Sequence, residues 1–146
     1  TAAYTDLLKD GRAKQFTLAM DPKSVITFPS GEMMLPTPGY YLIKGFAWTG
    51  RGRVNAVDIS LDAGKSWAPA RLDNDPEPMC TVRFSYPWFW DGKPAVLQSR
   101  CIDDAGNVQP SRKELIAVRG LSSVYHYNAI QSWAVASDGS VSNVHV

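Results

Sequence analysis

Arginine stands beside glycine twice, in Gly50-Arg51-Gly52-Arg53 and in Val118-Arg119-Gly120. Glycine lets a loop come close to a ligand, and a guanidinium offers a forked set of donors that matches sulfate, sulfite or phosphate. Holding a small dianion takes two or three convergent donors. Neither motif is therefore a site by itself, and a solvated surface arginine is the ordinary alternative for each. Other chemistries find less support. His126, His145, Cys80 and Cys101 are scattered, whereas a closed zinc site draws on closely spaced ligands. His126 lies between Tyr125 and Tyr127 with no G-x-S-x-G elbow in the chain, so it reads as a packed or surface histidine. Asp103 and Asp104 are adjacent in a strand-like segment and would point to opposite faces. They read as the start of a turn ahead of Gly106-Asn107 and not as an acid/base pair.

The elements that must position these groups are strands. From Val54 to Leu61 the side chains alternate, with Val57, Ile59 and Leu61 on one face and Asp58 and Ser60 on the other, as in a strand packed on one side. Asp62-Ala63-Gly64-Lys65 supplies turn chemistry, because an Asp carboxylate accepts N–H bonds within its own turn and Gly64 takes a positive φ without steric cost. Ser60 to Trp67 fits S-x-D-x-G-x-[ST]-W, the Asp-box hairpin pattern of sialidase-like propellers. It is a folding device, not an active site. A propeller would repeat it blade after blade, and this chain carries one copy.

Short apolar segments recur between Gly, Pro, Asn and Asp clusters, which is the spacing of an all-β sandwich. Strands are expected near Gln15–Ala19, Ser24–Thr27, Gly39–Trp48, Val54–Leu61, Ser66–Leu72, Thr81–Trp88, Ala95–Asp103, Ala129–Ala136 and Val141–Val146. No long helical stripe competes with them. Residues 1–14 form a polar N-terminal arm, and 15–146 form one domain. The stretch Pro76 to Trp90 holds an aromatic cluster in which Val82, Phe84 and Tyr86 share a face. Its ordinary role is core and sheet packing; the sharper alternative is an exposed patch around Trp88 and Trp90. Pro87 points to a strand edge.

Composition narrows the function classes. The 146 residues are 45% hydrophobic, enough for one real core. Fifteen basic residues against 14 acidic ones give a net charge of +1, which offers no general attraction for nucleic acid or an anionic membrane. No apolar run reaches the roughly 20 residues of a bilayer span, and TAAYTDLLKDGRAK lacks the apolar core of a signal peptide, so the chain is expected to be soluble. Cys80 and Cys101 fit either one disulfide or two free thiols.

Three blocks, GFAWTGRGRVNAVDISLDAGKSW, CIDDAGNVQP and VRGL, taken in this order, resemble the C-terminal dimerisation domain of the sulfite oxidase family of molybdenum enzymes. The likeness runs from about Phe16 to the C-terminus and includes MDPKSVITFPSG. Within the family it resembles the SoxC-type subunit of sulfane (sulfite) dehydrogenase, which shares YTDL and NAIQSW. The resemblance implies an immunoglobulin-like (E-set type) antiparallel β-sandwich with an irregular N-terminal arm. It also implies a homodimer, a parent domain that carries molybdopterin-bound molybdenum and its ligating cysteine, and a c-type cytochrome subunit as electron acceptor in the periplasm. This chain would then hold no cofactor and be inactive alone. Arg119 matches the arginine of the family's R-G motif, which reaches the anion pocket beside molybdenum, so the resemblance makes it the substrate-binding candidate. Arg53 matches a basic position in the hairpin turn, with a structural or subunit-contact role. After Gly120 the chain reads LSSVYHYNAIQSW where animal sulfite oxidases carry a shorter segment with a Trp-His pair, a departure that favours the bacterial sulfur-oxidation branch. The competing expectation is a free-standing immunoglobulin-like module that binds a protein or carbohydrate through the aromatic cluster.

Overall fold

The computed structural model describes residues 5–8, 10–15, 18–121 and 126–146. Within the polar arm, β1 (Thr5–Leu7) pairs antiparallel with β2 (Ala13–Gln15), a small hairpin that the sequence pattern did not announce. The strand expected at Gln15–Ala19 is represented by the end of β2, while Phe16 and Thr17 lie outside the described residues.

Two antiparallel sheets follow. One has the order β3 (Lys23–Phe28), β4 (Gly39–Trp48), β8 (Val82–Trp90) and β7 (Arg71–Leu72). The other has the order β11 (Val141–Val144), β10 (Ser132–Val135), β9 (Ala95–Asp103), β5 (Val54–Ser60) and β6 (Ala68–Pro69). Alternation decides which side chains lie between them. Ile43 and Ala47 of β4, Val82, Phe84, Trp88 and Trp90 of β8, Val57 and Ile59 of β5, and Leu97 and Cys101 of β9 make the core. Gly45 sits opposite Phe84 in the β4–β8 register, and a Cβ there would lie 2.2 Å from the Val25 carbonyl oxygen and 2.3 Å from Phe84 Cζ. The absent side chain is what lets the Phe84 ring cross the strand.

The segment expected to be one strand from Ser66 to Leu72 is divided. Ser66 and Trp67 are taken up by the Asp-box turn, β6 pairs with β5 in one sheet, and β7 pairs with β8 in the other. Beyond Ser85 the β8 strand has β4 alone as its ladder partner, which is where Pro87 sits. Trp88 and Trp90 are 5% and 2% exposed and lie with Tyr41 at ring separations of 6.3–6.4 Å. The aromatic cluster is thus core at these two tryptophans, and the proposed patch around them loses its residues.

Among the described residues, one helix interrupts the strands. α1 (Arg112–Arg119) starts at a capping box in which Ser111 Oγ accepts from the Glu114 N–H and the Glu114 carboxylate accepts from the Ser111 N–H. Leu115 is its buried residue. After the helix, the return segment reaches β10 only at Ser132 instead of Ala129, because Ile130 N–H is donated to Pro110 O and the Asn128 amide to Pro22 O. Cys80 is exposed and Cys101 buried, and both are free thiols. No helix among the described residues is long and apolar enough to cross a membrane.

Candidate functional site

Arg119 closes α1, where a cation complements the exposed carbonyls of the last turn. Gly120 follows with φ +80°, a conformation glycine adopts at low cost, and its N–H is donated to Ile116 O. The Arg119 guanidinium is half-buried and donates from one terminal nitrogen to His126 O at 3.2 Å. Residues 122–125 of the intervening LSSVYHYNAIQSW segment lie outside the described residues. At His126 the backbone turns with φ +48°. The next carbonyl, that of Tyr127, accepts from Lys23 Nζ at 2.6 Å, and the ammonium also lies 5.8 Å from the Tyr127 ring centre. Burial holds the Lys23 pKa below its ordinary value.

Lys23, Trp48, His126 and Asn128, with Met20 and Asp21, line a hollow of about 310 Å³. Asp21 pairs with Arg51, Nε to Oδ1 at 2.9 Å. The two arginine-glycine motifs therefore approach one end of the sandwich through different partners, Arg51 through Asp21 and Arg119 through His126. Arg53 is used otherwise: its side chain is exposed, while its N–H and carbonyl exchange bonds with Asp104, N–H to Oδ1 at 3.1 Å and Asp104 N–H to Arg53 O at 3.0 Å. Lys23 and Asp21 bring one cation and one carboxylate to the lining of this hollow.

The carboxylates behave as structural acceptors. Asp103 is buried and accepts from the Ala105 and Asn107 N–H groups and the Asn107 amide, which makes the expected turn. Asp62 accepts from Ser66 N–H at 2.9 Å and Ser66 Oγ at 2.6 Å and bonds Ser60 Oγ, while Trp67 Nε1 donates to Gly64 O, so the Asp box closes as a latch. Those bonds lower the Asp62 pKa to about 2. Over the latch, Arg100 stacks on Trp67 at 4.3 Å and pairs with Asp58 at 2.9 Å.

Two residues with long-range contacts have no mark in the sequence. Gln109 is buried between the sheets, its Oε1 accepting from Ser24 N–H and Oγ at 2.8 Å and from Cys101 N–H at 3.1 Å. Lys23 is the other. A lone glutamine and a lone lysine carry no spacing signal, because each acts on residues about a hundred positions away or across a sheet.

The family model described as the Mo-co oxidoreductase dimerisation domain matches residues 14–133. The chain belongs to this family. Among its relatives, the sulfite oxidase of Gallus gallus is 35% identical over 115 residues, which is 71% of this chain and 24% of that protein. The mitochondrial sulfite oxidase of Homo sapiens is 35% identical over 118 residues, 73% of this chain and 20% of that protein. The crystal structure of the sulfane dehydrogenase SoxCD from Paracoccus pantotrophus matches the whole of this chain and 38% of that one, with 47% identity and a TM-score of 0.96. The chain thus spans about a quarter or less of these curated relatives.

The dimerisation domain's own residues do not fit a molybdenum ligand set. Cys101 lies in the core with its thiol directed at Trp48 O, and burial, with Asp103 adding to it, pushes its pKa up to about 12. Cys80 is exposed in a turn whose N–H is donated to Glu77 O. Among the described residues no three His, Cys, Asp or Glu side chains converge.

Proposed function

We propose that this dimerisation domain serves a bacterial sulfite oxidase-family enzyme of sulfur oxidation, is not catalytic by itself, and extends Arg119 into an anion pocket formed mainly by a separate molybdopterin-bearing domain. The parent enzyme oxidises sulfite or carrier-bound sulfane sulfur in the periplasm and passes electrons to a c-type cytochrome subunit; the cofactor, where bound, supplies the redox chemistry. The observation that carries the reading is the 47% identity to sulfane dehydrogenase over the full chain. It is supported by the position of Arg119 at the end of a short capped helix, beside the lysine-bearing corner.

In this role the Arg119 guanidinium binds and neutralises an oxyanion of substrate or product. Subunit contact is attributed to the outer face of the β3–β4–β8–β7 sheet. Tyr40 and Phe89 are 85% and 57% exposed there, stacked edge to face at 4.9 Å, with Leu42 and Phe46 further along β4. Large apolar side chains exposed together, as at the Tyr40–Phe89 pair, mark a contact surface, with the exposed Lys44 and Arg83 as the polar part of the same face.

The test is Arg119→Gln in the full-length enzyme. Loss of a charge-assisted bond to the anion raises the sulfite KM by about tenfold or more while the domain stays folded, since Arg119 is at the surface end of its helix. An unchanged KM in a folded variant overturns the role given to Arg119.

A further inference from the structure

We infer that Lys23 is a positioning residue for Arg119, acting through the His126–Tyr127 turn; this rests on the reading of Arg119 as the anion-binding group. Consecutive carbonyls of that turn are captured by two cations from different elements. Arg119, at the end of α1, donates to His126 O, and Lys23, at the start of β3, donates to Tyr127 O. The positive φ of His126 turns the chain at this point. One residue further on, the Asn128 amide donates to Pro22 O, the neighbour of Lys23, so the turn is fastened to the start of β3 twice.

The root of Lys23 is itself fixed. Across the ladder it pairs with Trp48, and the next residue, Ser24, is buried and bonded to Gln109 Oε1 through both its N–H and its hydroxyl, and to Ser99 Oγ at 2.9 Å. With its base held by the core and its head on a carbonyl, the lysine transmits the position of the sheet to the turn. The guanidinium of Arg119 then has a fixed acceptor to lean on, which sets the direction of the whole planar group. Lys23 contacts no substrate in this scheme.

The experiment has two readouts. In the 146-residue chain, Lys23→Met keeps most of the apolar stem and removes the donor. The Arg119 Nε–Hε resonance, followed by NMR, is expected to lose its resolved position, and Lys23→Arg is expected to restore it. In the full-length enzyme, Lys23→Met is expected to raise the sulfite KM about threefold to tenfold with kcat within about a factor of two, again with rescue by Lys23→Arg. An unperturbed Arg119 resonance in a folded Lys23→Met chain overturns the inference, as does a fall in thermal stability with both readouts unmoved. Should Lys23→Met fail to fold, a correlation between the Lys23 ammonium and the Tyr127 carbonyl carbon in the unsubstituted chain decides instead, its absence overturning the inference. The resonance does not depend on any anion. If Arg119→Gln leaves KM unchanged while Lys23→Met still moves the resonance, the anion reading fails and the positioning role stands.

Discussion

Asp62 shows how one exposed side chain stabilises a loop without burial. Its carboxylate receives three bonds from Ser60 and Ser66, and these hold its pKa at about 2 against an ordinary 3.8. A carboxyl with a depressed folded-state pKa contributes stability that is present above the unfolded value and is lost as pH falls through the folded one. Asp62→Ala should therefore melt several degrees below the unsubstituted chain near neutral pH, with the gap shrinking between about pH 4 and pH 2. A gap in thermal scans that stays constant across that window would count against the latch. This residue was legible in the sequence, because Ser60, Asp62, Gly64, Ser66 and Trp67 are near neighbours and the chemistry is local. Arg119 was legible only through its family motif. Lys23 and Gln109 were not legible at all: the carbonyl of Tyr127 lies 104 positions from Lys23, and the N–H of Ser24 lies 85 from Gln109.

At the scale of elements, β4 and β9 begin and end where Gly39, Trp48, Ala95 and Asp103 suggested, since each long strand has clear alternation and turn residues on both sides. The sequence pattern does not declare the helix α1, although Ser111-x-x-Glu114 is a capping box. Its eight residues carry one buried side chain, Leu115, and so no apolar stripe long enough to declare a helix. The division of Ser66–Leu72 into β6 and β7 follows from Ala70, whose N–H is donated to Val57 O at the crossing between sheets. A test at this scale is Gly45→Ala. The added methyl meets the Val25 carbonyl and the Phe84 ring at distances no Cβ tolerates, so chemical denaturation should report a loss of about 3 kcal/mol. A loss below about 1 kcal/mol would mean that Phe84 does not cross the strand at this point.

For the whole molecule, the sheet that carries Tyr40, Leu42, Phe46 and Phe89 outward is the face assigned to subunit contact. Replacing Tyr40 and Phe89 together by Glu should leave the circular dichroism spectrum unchanged, because neither ring is in the core. In light scattering the same variant should associate at least about tenfold more weakly than the unsubstituted protein. A dimer of undiminished strength would move the contact to another face. The sequence by itself determined the sandwich, most of its strands, the Asp-box latch and the family, because alternation, turn chemistry and motifs are properties of neighbours along the chain. Only the tertiary structure decided that the tryptophans at 88 and 90 are core while Phe89 between them is surface, that Cys80 and Cys101 remain apart, and that a lysine at the start of β3 grips the turn behind Arg119. Those outcomes depend on which faces two sheets turn toward each other, and on where a loop returns after a hundred residues, and neither is fixed until the core has closed.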